Sequence, residues 1–315
     1  MQDKIISRSL ANRKKLFLAS LESPSEEGKY KRYTGLPLRY AGGKTLAVGF
    51  IVEHIPDTIK RVVSPFFGGG SVEIACANEL NLPVLGYDIF DILINYWDVQ
   101  LNDPEALYHK LSEFEPTRKG FKEVKERLKK HWKGQEKLGR IDLASHYYFN
   151  HNTSYGPHFL GSPSSVYLQR DRYKAMIDKV RNFKAPNIKV EALPFEETIP
   201  KHKNDFLYCD PPYYLDGDSK TFVGMYPHRN FPIHHKNFNH KLLNELLMEH
   251  KGGFVLSYND CSDIREMYKG FKMISPSWQY TFSQGDTRIG INRKQKNNGS
   301  YIKKSHELII WKNPE

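Results

Sequence analysis

Cysteine, acidic charge and long apolar runs are all scarce in this chain of 315 residues. Its three cysteines, Cys76, Cys209 and Cys261, stand far apart and form neither a disulfide framework nor a paired zinc-ligand motif. No stretch approaches the roughly 18 consecutive apolar residues of a membrane-spanning helix. Near the N-terminus stands only a short apolar patch, Leu16-Phe17-Leu18, too little for the core of a signal peptide. Internal repeats and long low-complexity tracts are missing as well. The expectation is a cytoplasmic protein in a reducing compartment, with no membrane partner. An apolar content of 39% rules out a wholly disordered chain and is enough for a sizeable core.

Acidic residues are outnumbered 36 to 47 by Lys and Arg, which gives a net charge of +11 and points to polyanionic partners. The excess is concentrated. Residues 116–140 carry ten Lys/Arg against three Glu, and residues 281–304 carry six against Asp286 alone. A solvated surface has no reason to gather charge in two places, whereas a nucleic-acid footprint does.

Residues 1–33 read as a basic, partly helical arm, with Ile6, Leu10, Phe17 and Leu21 roughly on one face and Ser23-Pro24 closing the segment. Residues 61–67 then form a strand that runs into Gly68-Gly69-Gly70 and a helix from about Ser71. Residues 83–88 form a second strand, ending on Asp88. This is the opening of a βαβ unit. The spacing of Phe121, Val124, Leu128 and Trp132 predicts an amphipathic helix over 118–132 with lysines on its other faces. Further strands are expected at 188–193, 205–209, 253–258 and 307–311, with a helix at 239–250. Alternating elements on both sides of a different middle segment imply an α/β domain interrupted by an insertion at about 105–180.

Phe66-Phe67-Gly68-Gly69-Gly70 lets backbone approach a ligand closely at a helix start. The dinucleotide fingerprint would need glycine three residues after Gly70, where Glu73 stands, and a carboxylate there repels a pyrophosphate. A neutral or cationic ligand is better tolerated. Asp88, 20 residues beyond Gly68, sits where such folds place an acid on ribose hydroxyls. Residues 39–45 resemble a phosphate-binding loop only superficially, because Leu38 occupies the position of its first glycine. Tyr40 and Lys44 remain as groups flanking a tight approach.

The sharpest motif is Asp210-Pro211-Pro212-Tyr213, directly after the strand residues Phe206 to Cys209. Neither proline can donate to a ladder, so the chain is held stiffly at a strand's C-terminal end, where open α/β sheets bind ligands. Such a loop fits an exocyclic amine: Asp210 and the Pro211 carbonyl accept its two N–H bonds while Tyr213 stacks on the ring.

Phe-x-Gly-x-Gly at 66–70 and Asp-Pro-Pro-Tyr at 210–213, in that order, resemble the alpha group of Dam-like adenine-specific N-6 DNA methyltransferases. Tyr40-Ala41-Gly42-Gly43-Lys44 is similar to the family's N-terminal segment, Ser257-Tyr258-Asn259 to its strand ending in Ser-Asn, and Asn298-Gly299-Ser300 through His306-Glu307-Leu308-Ile309-Ile310 to its C-terminal loop and strand. The resemblance implies a Rossmann-like S-adenosylmethionine-dependent methyltransferase sheet of α/β class, residues 34–104 and 181–315, with a mostly helical target-recognition domain inserted at 105–180. It implies that Tyr40, Lys44, Phe66, Gly68, Gly70, Asp88, Phe195 and Asp210 bind S-adenosylmethionine. Asp210, Pro211 and Tyr213 are then the catalytic set that receives a flipped adenine. The partner is double-stranded DNA, with a cognate restriction endonuclease as a further one. No metal is required. Relatives acting on glutamine or on guanine amines of ribosomal RNA typically carry Asn where Asp210 stands. The alternatives are an RNA adenine methyltransferase and a catalytically silent DNA-binding relative.

Within the insertion, Lys119, Lys122, Lys129 and Lys130 are expected on phosphates. Asn150, Asn152, Tyr155 and Arg170 are expected at base edges or in the gap left by an extruded base. His151 follows Phe149-Asn150 and Tyr155-Gly156-Pro157-His158-Phe159 comes after, so the pattern common to relatives that methylate GATC is incomplete. His228, His234, His235 and His240 do not make a recognisable ligand set. Residues 215–240 are read instead as a lid after the catalytic loop.

Overall fold

The computed structural model describes residues 9–23, 29–214, 238–276 and 307–315. Ile6, His228, His234, His235, the basic segment 281–304 and nearly all of the expected lid lie outside the described residues.

In chain order the elements are α1 (Leu10–Leu21), α2 (Val48–Glu53), β1 (Val62–Ser64), α3 (Ser71–Asn78), β2 (Val84–Asp88), α4 (Asp91–Asn102), α5 (Pro104–Ser112), α6 (Arg118–Trp132), α7 (Arg140–Thr153), α8 (Arg170–Asn182), β3 (Ile188–Ala192), α9 (Phe195–Lys201), β4 (Phe206–Cys209), α10 (His240–Glu249), β5 (Phe254–Asn259), α11 (Ser262–Met267), β6 (Lys272–Ile274) and β7 (Glu307–Lys312). They build a mixed α/β structure around a seven-stranded sheet of order β3-β2-β1-β4-β5-β7-β6. The first five strands in that order are parallel, and β7 runs antiparallel between β5 and β6. Strand order reverses between β1 and β4, opening a crevice at their carboxyl ends.

The sheet is covered on both faces, as the near-continuous apolar strands require. Val62, Phe206, Tyr208 and Ile309 point into one core; Val63, Leu207, Cys209 and Ile310 point into the other. The first core continues without a break into helices α6 and α7 of the expected insertion through Phe121, Leu128, Tyr148 and Phe149. The N-terminal segment, expected as an arm, docks on this body: Phe17 and Leu21 are buried, and Arg13 donates to the Leu80 carbonyl at 2.7 Å. Helix α6 starts on the Thr117 hydroxyl, which accepts the Gly120 N–H at 3.0 Å, and buries the predicted stripe Phe121, Val124, Leu128 and Trp132. The first strand is shorter than expected. Its ladder ends at Ser64, because Pro65 has no N–H to contribute.

Candidate active site

Three strand ends meet at the crevice. From β1 comes the 65–70 turn, from β2 comes Asp88, and from β4 comes the 210–213 loop. Together with residues 40–44 and the start of α9 they enclose a cavity of about 430 Å³. Tyr40, Lys44, Phe66, Gly68, Gly70, Asp88, Phe195, Asp210, Pro211 and Tyr213 all line it, so every residue expected at the cofactor or the amine borders one space.

The glycine turn is fixed from several sides. The Gly68 N–H donates to Asp88 Oδ2 at 3.0 Å, and the Trp97 indole donates to the Gly68 carbonyl at 2.9 Å. Tyr40 lies across the turn so closely that a Cβ on Gly69 would come within 2.6 Å of the Tyr40 Cβ. The Phe67 ring turns inward and rests on Gly86 of β2, where a Cβ would meet it at 2.1 Å. Gly86 is therefore a requirement of the site that sequence reasoning missed. Its signal was a glycine in mid-strand, which often marks a close approach.

Lys44 departs from its expected role as a cofactor contact alone. It is 4% exposed, and its ammonium lies 2.7 Å from Asp210 Oδ1 and 2.9 Å from Oδ2. It also stands 4.9 Å from the centre of the Tyr213 ring. Burial pushes the Asp210 carboxyl up while Lys44 opposes that shift. The pair orients a carboxylate at the cavity wall and neutralises part of its charge. Asp88 is likewise pushed up by burial, opposed by the N–H bonds it accepts from Gly68 and Phe90.

Glu73 lies beneath the same turn, 2% exposed, and accepts from the Ser64 hydroxyl at 2.6 Å. Burial pushes its carboxyl up to about 8. The folded chain then holds a proton that the unfolded chain releases above about 4.5, so the stability this group contributes is complete at low pH and is lost as pH rises toward 8. Denaturant midpoints measured across pH should show wild type losing roughly 1 kcal/mol per pH unit relative to Glu73→Gln between those limits. Parallel profiles for the two proteins would mean that the carboxyl stays ionised in the fold.

One wall is aromatic. Phe195 opens α9, and its ring lies 5.5 Å from Phe66 and 5.1 Å from Phe238. Tyr40, His151 and Tyr147, also lining the cavity, form a stack, with centroid distances of 5.9 and 5.1 Å. His151, which in the sequence is only a departure from the pattern of GATC-methylating relatives, is a wall residue. Its Nε2 is 2.9 Å from the Arg39 carbonyl, and burial pushes its pKa down to about 3, which keeps the ring neutral.

Helix α7 corrects two expected DNA contacts. Asn150 and Asn152 are fully buried in α7, a helix packed on all sides over most of its length. Asn152 accepts the Arg39 N–H at 3.0 Å and donates to the Pro37 carbonyl, which fixes the chain just before Tyr40. Neither side chain is available to a base edge. Tyr155, by contrast, is 68% exposed, on a loop pinned by the Ser154–Pro163 bridge and by its own N–H on the Ser162 carbonyl. Lys119, Lys122, Lys130 and Arg170 are exposed, whereas Lys129 is half-buried beside Glu126. Trp132, ending α6, packs against Phe90 and Phe159 of the cavity wall and ties the basic helix to the site. His240 contacts the Tyr258 hydroxyl through Nδ1. Among the described residues no group of three or more potential ligands could hold a metal ion, and no helix is long and apolar enough to cross a membrane.

Comparison with known proteins agrees with this geometry. The family model described as D12 class N6 adenine-specific DNA methyltransferase matches residues 40–282, which include both loops. The chain is 23% identical over 288 residues to a DNA adenine methylase of Vibrio cholerae serotype O1 (strain ATCC 39541 / Classical Ogawa 395 / O395), covering 88% of this chain and 95% of that protein. It is 22% identical over 264 residues to the type II methyltransferase M.CviBI of Paramecium bursaria Chlorella virus NC1A, covering 80% and 94%. With M.FokI, a type II methyltransferase of Planomicrobium okeanokoites, it shares 26% identity over 201 residues, 60% of this chain and 31% of that protein.

Proposed function

Because the chain belongs to the D12 class of N6 adenine-specific DNA methyltransferases, we propose that the cavity between β1 and β4 is where the exocyclic amine of a flipped adenine in double-stranded DNA is methylated, with S-adenosylmethionine as donor. The observation that carries this reading is the meeting of the glycine turn and the Asp210-Pro211-Pro212-Tyr213 loop on adjacent strands, although they lie far apart in sequence.

The residues present suit that donor. Asp88 offers acceptors for ribose hydroxyls, Phe195 and Phe66 an aromatic wall for a purine, and Gly68 and Gly70 an approach for the methionine end. Tyr40 closes the turn. When bound, the donor supplies an electrophilic methyl group on a good leaving group, so the protein needs no metal and no covalent nucleophile.

What remains for the chain is positioning. Adenine's amino lone pair is delocalised into its ring. Asp210 and the Pro211 carbonyl accept the two N–H bonds, which draws the lone pair back onto nitrogen and aims it. Tyr213 stacks on the ring and keeps it in plane. Lys44 holds the Asp210 carboxylate in register. Extruding the base costs a few kcal/mol, and Tyr155, exposed on its pinned loop, is suited to fill the gap left in the duplex. Lys119, Lys122 and Lys130 contact phosphates, and Arg170 is held for a base edge. Residues 105–180 act as the target-recognition unit, though they share a core with the sheet. The type II relatives support a cognate endonuclease as a partner.

The test is transfer of labelled methyl from S-adenosylmethionine to unmethylated DNA, with total RNA in parallel. Label is expected in DNA adenine. Label confined to RNA, or none with a folded protein, overturns the reading.

A further inference from the structure

Two of the sequence motifs, Ser257-Tyr258-Asn259 and His306-Glu307-Leu308, have no role in the site as described so far. Their described residues face each other: Asn259 ends β5, Glu307 opens β7, and the two are direct partners in the antiparallel ladder. Both reach the loop after β4. The Asn259 amide donates to the Tyr214 carbonyl at 2.7 Å, and the Tyr213 hydroxyl donates to Glu307 Oε1. Glu307 is 2% exposed, an acidic side chain taken out of water at a strand end. Burying such a group is costly unless it is hydrogen-bonded. Stability of the strand alone gives no reason for an acidic side chain, since an apolar residue would pack there.

We propose that Asn259 and Glu307 form a cross-strand clamp on residues 213–214, and that Glu307 is the positioning residue for the Tyr213 ring. Asn259 fixes the backbone of the loop one residue past the tyrosine. Glu307 fixes the far end of the ring through its hydroxyl. Lys44 lies 4.9 Å from the ring centre, so a tilt of Tyr213 also disturbs the ammonium that orients Asp210. The last strand of the sheet thereby sets the angle of the stacking surface without touching the base. This inference rests on the proposed placement of adenine against Tyr213.

The experiment compares Glu307→Leu, Glu307→Gln, Tyr213→Phe and the Glu307→Leu/Tyr213→Phe double variant in steady-state methylation of DNA. Glu307→Leu should lower kcat about tenfold to 10²-fold, the scale of a misplaced positioning group, with little change in KM for the methyl donor. Glu307→Gln, which keeps an oxygen for the hydroxyl, should recover most of that loss. Tyr213→Phe probes the same bond without altering the sheet, and remains informative if Glu307→Leu fails to fold. It should lower kcat similarly, and the double variant should lose no more than the worse single one. Unchanged kcat in Tyr213→Phe, failure of Gln to restore activity, or losses that multiply would overturn the clamp. A wild-type rate in Asp210→Ala would instead overturn the placement of adenine on which it rests.

Discussion

Replacing Asp210 with alanine should reduce methyl transfer to DNA by roughly 10³-fold, the upper range for loss of one preorganised polar contact at a reacting centre. The structure adds a complication. Lys44 is 4% exposed and directs its ammonium at both Asp210 oxygens, so the substitution also leaves a buried cation without its carboxylate. Removing one partner of a buried pair costs about 3–5 kcal/mol, and the 22% exposure of the Asp210 side chain favours the lower end. Part of the lost activity is therefore lost folded protein. Replacing Lys44 with methionine in the Asp210→Ala background separates the two effects. The double variant should recover thermal stability and remain inactive. If it recovered activity, Asp210 would be serving only to neutralise Lys44. If Asp210→Ala alone transferred methyl at the wild-type rate, the amine would have to be held elsewhere.

Substitution of Asp88 by alanine should weaken donor binding by about 10²-fold, as expected for losing two hydrogen bonds to a charged acceptor at roughly 1.5 kcal/mol each. Asp88 has a double duty that makes asparagine a poor replacement. Its Oδ2 accepts the Gly68 N–H and its Oδ1 accepts the Phe90 N–H, both at 3.0 Å. An amide offers one oxygen where the site uses two, and turns a donor toward one of those N–H groups. Asp88→Asn, like Asp88→Ala, should thus lose loop geometry as well as ligand contacts. Calorimetric titration with S-adenosylmethionine gives the affinity directly. At saturating donor much of kcat should return in Asp88→Ala, because Asp210 and Tyr213 belong to a different strand end. Unaltered affinity would remove Asp88 from the binding site.

The local chemistry of backbone was the most legible part of this chain. Three glycines after an apolar run and two prolines after another mark strand ends whatever surrounds them, and both motifs border the cavity. The stripe on α6 was legible because one face is buried and three are wet. Helix α7 was not, for the opposite reason. Its residues from Leu143 to Thr153 are buried on every side, which erases the periodicity that marks a helix and makes Asn150 and Asn152 look like surface groups. Strand β6, only three residues long, carries too little pattern to stand out. The Lys44–Asp210 pair joins residues 166 positions apart and depends on strand order, which no local pattern encodes. Gly86 marks a close approach in mid-strand, but that the Phe67 ring makes it depends on the tertiary fold.

The position of β7 has a consequence for a chain emerging from the ribosome. It is the last of the described strands to be synthesised, yet it sits inside the sheet, between β5 and β6. Until it arrives, β5 exposes an unpaired edge, and β6 has no partner among the described strands. Translation at about 5–20 residues per second therefore leaves a nascent form in which both site loops exist but their final support does not. Such an open edge invites pairing with other chains. A stalled or truncated product lacking residues 307–312 would be prone to aggregate, and would reach the genome without a finished site.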